Sequence, residues 1–214
     1  MRKSIAVLGL GKYGLSLAQS MYDMGSDVLI ADIDEDKLKE SSRFATSAIC
    51  ADLSNEDEVK NLGLKNLDIV VVAMSRNLAA SIMSVAVAKE EGVPLIVAKS
   101  SSDRMTSILE KIGADKVIIP EEYGGKQSAR ILSSDTFLDY FQVDNSLSMV
   151  EMNPMDKWVG KNLIELNIRQ KYNVNVVAIK EGGHWITADP KRELRASDQL
   201  LIVAERDSLK RIDK

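Results

Sequence analysis

Apolar positions in this chain fall into short runs separated by longer amphipathic stretches. Residues 5–8, 28–31, 47–51, 67–73, 95–98 and 116–119 are compact runs, and the fourth contains DIVVVA, the composition of a strand buried on both faces of a parallel sheet. Between them lie helix patterns. The first carries Leu17, Met21 and Met24 on one face and closes at Gly25. Others follow at 35–44, 55–62, 77–91 and 103–112, the last two closed by Gly92 and Gly113. In the acidic helix at 55–62, Ser54 or Asn55 is placed as N-cap, with Glu58 positioned for a capping box. Strand and helix alternate as far as residue 119, which predicts an α/β fold with a doubly wound, Rossmann-like parallel sheet.

Residues 120–132, PEEYGGKQSARIL, read as a crossover helix after the glycines. The pattern then changes. Residues 133–145 are polar and punctuated, so the domain boundary is expected there, giving domains 1–134 and 135–214. The second domain reads as strand 147–152, short helix 162–168, alternating strand 174–180, a Gly182-Gly183 turn, a returning strand 184–187, strand 199–204 and a helix from Asp207. This is a small α+β module with a βαββ-like order.

The first strand runs into Gly9-x-Gly11-x-x-Gly14, with a helix behind it and Asp32 about 20 residues on. That context raises the loop above a chance match. Gly9 permits the tight turn, Gly11 lets a phosphate approach the backbone, and Gly14 allows close helix–sheet packing. The helix N-terminus favours an anion, and Asp32 can accept from ribose hydroxyls. Ligands of such sheets bind beyond the carboxyl ends of the strands, where Asp34, Asp52, the segment 74–77, Lys99 and Glu121 also fall. Asp52 can meet an adenine amino group or cap the next helix, and Asn77 has the same double reading. Lys99 can meet a phosphate or solvate a strand end. Lys12, a cation at a helix N-terminus, makes an anionic ligand nearby more plausible.

Composition adds exclusions. A net charge of -4 leaves no basic footprint for nucleic acid. No apolar run is long enough to span a bilayer, and the first residues, MRKSIAVLG, show no cleavable signal pattern. One cysteine, Cys50, excludes an internal disulfide framework and fits a cytoplasmic protein; in its strand-like run it is expected to be a small core residue. The single histidine, His184, sits beside a hairpin turn with no orienting partner in view, and Trp158 and Trp185 read as packing residues.

VLGLGKYG, LIADIDEDKL, SAICADLSNEDEVKNLGLKNLD, VVVAMSRN and KIGADKVIIPEE in the first domain, with VGKNLIELNIRQKYNVNVVAIK and ASDQLLIV in the second, resemble the RCK family, regulators of K⁺ conductance, in its bacterial KtrA/TrkA-like form. The resemblance runs through almost the whole chain. It implies a cytoplasmic regulatory subunit peripheral to the inner face of the cell membrane. Such subunits dimerise through the crossover helix and join into a ring, commonly an octamer, under a membrane K⁺ channel or transporter subunit. ATP, ADP or NAD(H) binds at the glycine loop. Carried over, the ligand residues are Gly9, Gly11, Lys12, Tyr13, Gly14, Asp32, Asp34, Asp52, Asn77 and Lys99. Glu121 matches a carboxylate that in some relatives holds a divalent cation. Where relatives often have Arg then Phe, this chain has Lys12 and Tyr13, which keeps the charge without the bidentate fork. The second domain resembles one that binds cyclic di-AMP in some relatives; the matching positions are Ile164, Ile168, Arg169, Asn175 and Pro190. Asn175 stands where some binders have histidine, which weighs against cyclic di-AMP here. A buried structural role for Ile164 and Ile168 is the simpler expectation.

The alternative is a small NAD-dependent oxidoreductase, which the glycine loop and Asp32 allow. Hydride transfer normally needs an acid/base from a second domain, and His184 is poorly placed to supply it. A redox-sensing repressor of similar fold would need a helix-turn-helix and a basic face, and neither is visible.

Overall fold

The computed structural model describes residues 2–132, 137–144 and 146–212. The chain divides into two compact units, Met1–Glu122 and Tyr123–Lys214. The expected boundary between 134 and 135 lies outside the described residues.

The first unit alternates β1 (Ser4–Leu8), α1 (Lys12–Asp23), β2 (Asp27–Asp32), α2 (Glu35–Ser41), β3 (Ser47–Cys50), α3 (Glu56–Lys60), β4 (Ile69–Val72), α4 (Leu78–Glu90), β5 (Leu95–Lys99), α5 (Asp103–Ile112) and β6 (Lys116–Ile118). All six strands are parallel, in the order β3-β2-β1-β4-β5-β6. The apolar runs are continuous because both faces of the sheet are covered. In β1, Ile5 and Val7 enter one core cluster with Val28 and Ile30, while Ala6 and Leu8 enter another with Val70, Val72 and Ile96. The strand's period of two splits it between the layers. Each large side chain so buried contributes about 1.5–3 kcal/mol.

Three local expectations change. Cys50 is exposed, its thiol 3.6 Å from the Ile33 carbonyl, because β3 is an edge strand rather than an inner one. Asn55 is the N-cap of α3, accepting from the Asp57 and Glu58 N–H groups, but no capping box forms there. The Glu58 carboxylate instead takes the Asp52 N–H at 2.6 Å, since the Asn55 N–H is already given to the Asp52 carbonyl. Finally, α6 (Pro120–Leu132) begins at Pro120 and runs through Gly124 and Gly125, neither of which takes a positive φ. Proline suits a first helical position, and the two glycines cost roughly 1 kcal/mol each without breaking the helix.

The second unit is built on a five-stranded antiparallel sheet, ordered β10-β9-β11-β8-β7. Its elements are β7 (Phe137–Gln142), β8 (Leu147–Met152), α7 (Leu163–Leu166), α8 (Ile168–Tyr172), β9 (Val174–Glu181), β10 (His184–Thr187), β11 (Gln199–Glu205) and α9 (Arg206–Ile212). β7 falls in the stretch expected to be linker, so two strands, not one, precede the short helices. Asn162 and Glu165 form the reciprocal capping box of α7, and Asn167 and Asn173, at φ 48 and 56, end α7 and α8. Trp158, 1% exposed, meets Tyr172 edge to face within this core.

Candidate functional site

β1 pairs with β2 on one side and with β4 on the other, so the chain winds away from β1 in both directions. At such a switch point the loops after the two strands diverge and leave a crevice beyond their carboxyl ends. Here that crevice is a cleft of about 750 Å³. It is lined by Gly9, Gly11, Lys12 and Tyr13 after β1, Asp32 and Lys37 around the β2–α2 turn, residues 73–77 after β4, Lys99 at the end of β5, and Pro120 with Glu121.

The three loop glycines have separate tasks. Gly9 sits at φ +96, and a Cβ there would lie 2.4 Å from the Met74 Cγ. At Gly14 a Cβ would lie 2.1 Å from the Gly9 carbonyl oxygen and 3.0 Å from the Ala73 Cβ, so this glycine sets how closely α1 seats on the sheet. A Cβ on Gly11 would meet nothing within 4 Å. Folding does not require a glycine there, and its bareness leaves the space in front of α1 open.

α1 has no side-chain cap and no acidic residue in its first turn. By contrast α2, α3, α4 and α5 are capped by Asp34, Asn55, Asn77 and Ser102. The first-turn N–H groups of α1 are therefore left for an outside acceptor, and with the dipole they favour an anion. An uncapped donor set, a bare Gly11 and cationic walls fit the phosphates of a nucleotide.

Asp32 fastens this loop in place. Its carboxylate accepts the Leu10 N–H at 2.6 Å and the Asp34 N–H at 3.0 Å, and Lys37 Nζ lies 3.6 Å away. It is 8% exposed and still lines the cleft, so lone pairs remain for a ribose. Lys37 was not singled out in the sequence. Its signal is the spacing from the Asp34 cap, which sets it in the first turn of α2 beside both aspartates.

The other candidate residues divide. Asp34 is absorbed by capping α2, and the Lys37 N–H above all holds its carboxyl below the usual range. Asp52 caps no helix. It closes a turn on Ser54, accepting from the hydroxyl at 2.6 Å and the N–H at 2.9 Å, and the hydroxyl first lowers its pKa. It lines a separate recess of about 70 Å³ shared with Asp32, Met74 and Asn77. Asn77 caps α4 through the Ala80 N–H and borders both cavities.

Lys99 lines the cleft with its side chain only 11% exposed, its Nζ 2.5 Å from the Glu121 carboxylate and 5.9 Å from the centre of the Tyr13 ring. Lys99 lowers the Glu121 pKa, and burial raises that of Tyr13. Glu121 stands apart as a metal ligand: no group of three or more His, Cys, Asp or Glu able to hold a metal occurs among the described residues.

In the second unit, Ile168 is 3% exposed and packs in the core, as expected. Ile164 is not buried: it is 60% exposed. Leu166 and partly Leu163 fill the core from the four-residue α7, which turns Ile164 outward. The Ile164 N–H lies 3.4 Å from the Pro190 carbonyl, while Arg169, Asn175 and Pro190 are exposed. His184 is exposed on β10 at the edge of the sheet.

Among the described residues no helix is long and apolar enough to cross a membrane. Comparison with known proteins matches residues 5–120 to the TrkA-N domain and 147–214 to the TrkA-C domain. The chain is 38% identical over 203 residues to Ktr system potassium uptake protein C of Bacillus subtilis (strain 168), covering 95% of this chain and 92% of that protein. It is 35% identical over 212 residues to Ktr system potassium uptake protein A of the same organism, covering 99% and 96%. Among solved structures, the GsuK RCK domain matches with a TM-score of 0.67 at 14% identity, over 100% of this chain and 47% of that one, so this chain spans about half its length. The GsuK channel bound to NAD matches with a TM-score of 0.64 at 14% identity, over 98% of this chain and 38% of that one.

Proposed function

The chain belongs to the Ktr/Trk family of potassium uptake proteins, with a TrkA-N and a TrkA-C domain, and from that premise we propose that it is the nucleotide-binding regulatory subunit of a membrane K⁺ channel or transporter. The observation that carries this reading is the uncapped first turn of α1, opening behind Gly11 into a cationic cleft in a chain of this family. The ligand is ATP, ADP or NAD(H). Its phosphates lie at the first turn of α1, and Asp32 takes its ribose hydroxyls. The subunit works in the cytoplasm, as a dimer assembled into a ring on the inner face of the membrane. It performs no chemistry of its own.

Regulation follows from differential binding. A nucleotide shifts a two-state ring only by the difference in its affinity for the two shapes, and moving the ring from 1:99 to 99:1 takes about 10⁴-fold. The test pairs calorimetry with ⁸⁶Rb⁺ uptake into vesicles holding the cognate membrane subunit. Nucleotide is expected to bind without turnover and to change uptake several-fold. Binding with no effect on uptake or assembly would end the regulatory reading.

A further prediction arises at Lys99. Glu121 and a phosphate compete for the same ammonium. Glu121→Gln is therefore expected to tighten nucleotide binding in EDTA by roughly 3- to 10-fold, as one like charge leaves the site. A divalent cation on Glu121 would have to displace Lys99 and take its remaining oxygens from the phosphates. With Mg²⁺ or Ca²⁺ present the same substitution is then expected to weaken binding instead.

A further inference from the structure

Four cations, Lys12, Lys37, Arg76 and Lys99, line the cleft against two carboxylates, Asp32 and Glu121, in a chain whose net charge is -4. This local excess runs against the charge of the molecule as a whole. Two of the cations are committed: Lys37 to Asp32 and Asp34, and Lys99 to Glu121. Lys12 and Arg76 are exposed and have no acidic partner among the described residues. They come from opposite sides of the switch point. Lys12 opens α1 after β1, and Arg76 precedes the Asn77 cap of α4 after β4. A dinucleotide's pyrophosphate is esterified at both ends, so the first turn of α1 and Lys12 are sufficient to hold it. A terminal phosphate carries further charge and a face of free oxygens, which a planar guanidinium on the facing loop can engage in bidentate fashion.

Building on the nucleotide reading above, we propose that Arg76 is a specificity-determining residue that receives the terminal phosphate of a nucleoside di- or triphosphate, so that the cleft selects such ligands over mononucleotide monophosphates and nicotinamide dinucleotides. The arginine supplies from the β4 side the fork that Lys12, a point charge, does not supply from the glycine loop. Because Arg76 is exposed and unpaired in the fold, its removal leaves stability unchanged.

The experiment titrates the full chain calorimetrically with ATP, ADP, AMP and NADH in EDTA, using the unsubstituted protein, Arg76→Ala and Arg76→Lys, with thermal melts as a control on folding. Arg76→Ala is expected to weaken ATP and ADP by about 10- to 100-fold, the loss of one charge-assisted contact, while AMP and NADH change less than about twofold. Arg76→Lys is expected to fall between the two proteins for ATP. An equal loss for all four ligands, or an unchanged ATP affinity, would overturn the assignment of Arg76 while leaving the nucleotide site standing. If the unsubstituted protein bound none of the four, the nucleotide reading itself would fall, and this inference with it.

Discussion

Gly14→Ala will lower the melting temperature of the first unit by roughly 10 °C, and Gly11→Ala, three residues earlier in the same loop, will move it much less. At Gly14 the added methyl carbon would lie 2.1 Å from a backbone oxygen of Gly9 and 3.0 Å from Ala73, atoms that no side-chain rotation can clear. α1 must lift from the sheet, and overpacking of this kind costs about 1–3 kcal/mol or somewhat more, which corresponds to a shift of that size in a domain of this length. At Gly11 the methyl meets nothing within 4 Å, and its φ of -68 is open to alanine. Glycine is preferred to alanine at an N-cap by roughly 0.5–1 kcal/mol, which keeps the cost at Gly11 well below that at Gly14. The two variants reverse in binding assays on folded protein. If Gly11 faces the phosphates as proposed, Gly11→Ala puts a methyl in their place and is expected to weaken nucleotide by roughly 10- to 100-fold, the same 1–3 kcal/mol felt by the ligand instead of the helix. Equal destabilisation by both variants would show that Gly11 serves packing alone.

The contrast between those glycines also marks what the sequence could and could not convey. GxGxxG between a strand and a helix, with Asp32 at its set distance, placed the cleft, because that spacing reflects local backbone geometry. The Rossmann-like sheet was legible for a similar reason: VLIA and DIVVVA are apolar without alternation, and only a strand covered on both faces tolerates that. Strand order was not legible. Cys50 sits in a run that looks like the inner ones, yet β3 closes the sheet and leaves its thiol exposed. Ile164 failed for want of periodicity, since a helix of four residues is too short to declare a face. β7 was hidden because FLDYFQ, bracketed by serines and aspartates, has the punctuation of a linker and finds its apolar partners only across the hairpin with β8. Capping residues carried a double meaning throughout. Asp34, Asp52 and Asn77 all occupy strand ends where a ligand residue would stand, and all three satisfy backbone N–H or hydroxyl donors of the turns beside them. What separates Asp32 from them is that its carboxylate reaches back 22 residues, to the Leu10 N–H of the glycine loop.

The second unit holds the other large effect. Arg192 grips Asp198 in a two-pronged pair, at 2.7 and 2.9 Å, with the side chains 17% and 5% exposed, and the same carboxylate accepts the Arg195 N–H at 2.8 Å. This knot fixes the segment leading into β11, where Leu194, 1% exposed, enters the core. Removing Asp198 leaves the Arg192 guanidinium with the half-exposed Glu181 carboxylate at 3.6 Å as its remaining acidic partner, so Asp198→Ala is expected to cost the second unit about 3 kcal/mol at neutral pH, the lower end for a broken buried pair, read by chemical denaturation. The double variant Arg192→Met/Asp198→Leu is expected to recover most of that loss, because an apolar pair of similar volume leaves no buried charge behind. Acid supplies an independent reading. The Arg192 guanidinium above all holds the Asp198 carboxyl below its ordinary value of 3.8. A carboxyl depressed in the folded state contributes stability that is complete above the unfolded pKa and is lost as pH falls through the folded one. Stability of the unsubstituted protein should therefore decline from about pH 4 downward more steeply than that of Asp198→Ala, and the gap between them should narrow in acid. A gap that stayed constant from pH 7 to pH 2 would show that the pair's charge contributes nothing and that the carboxylate acts through packing alone.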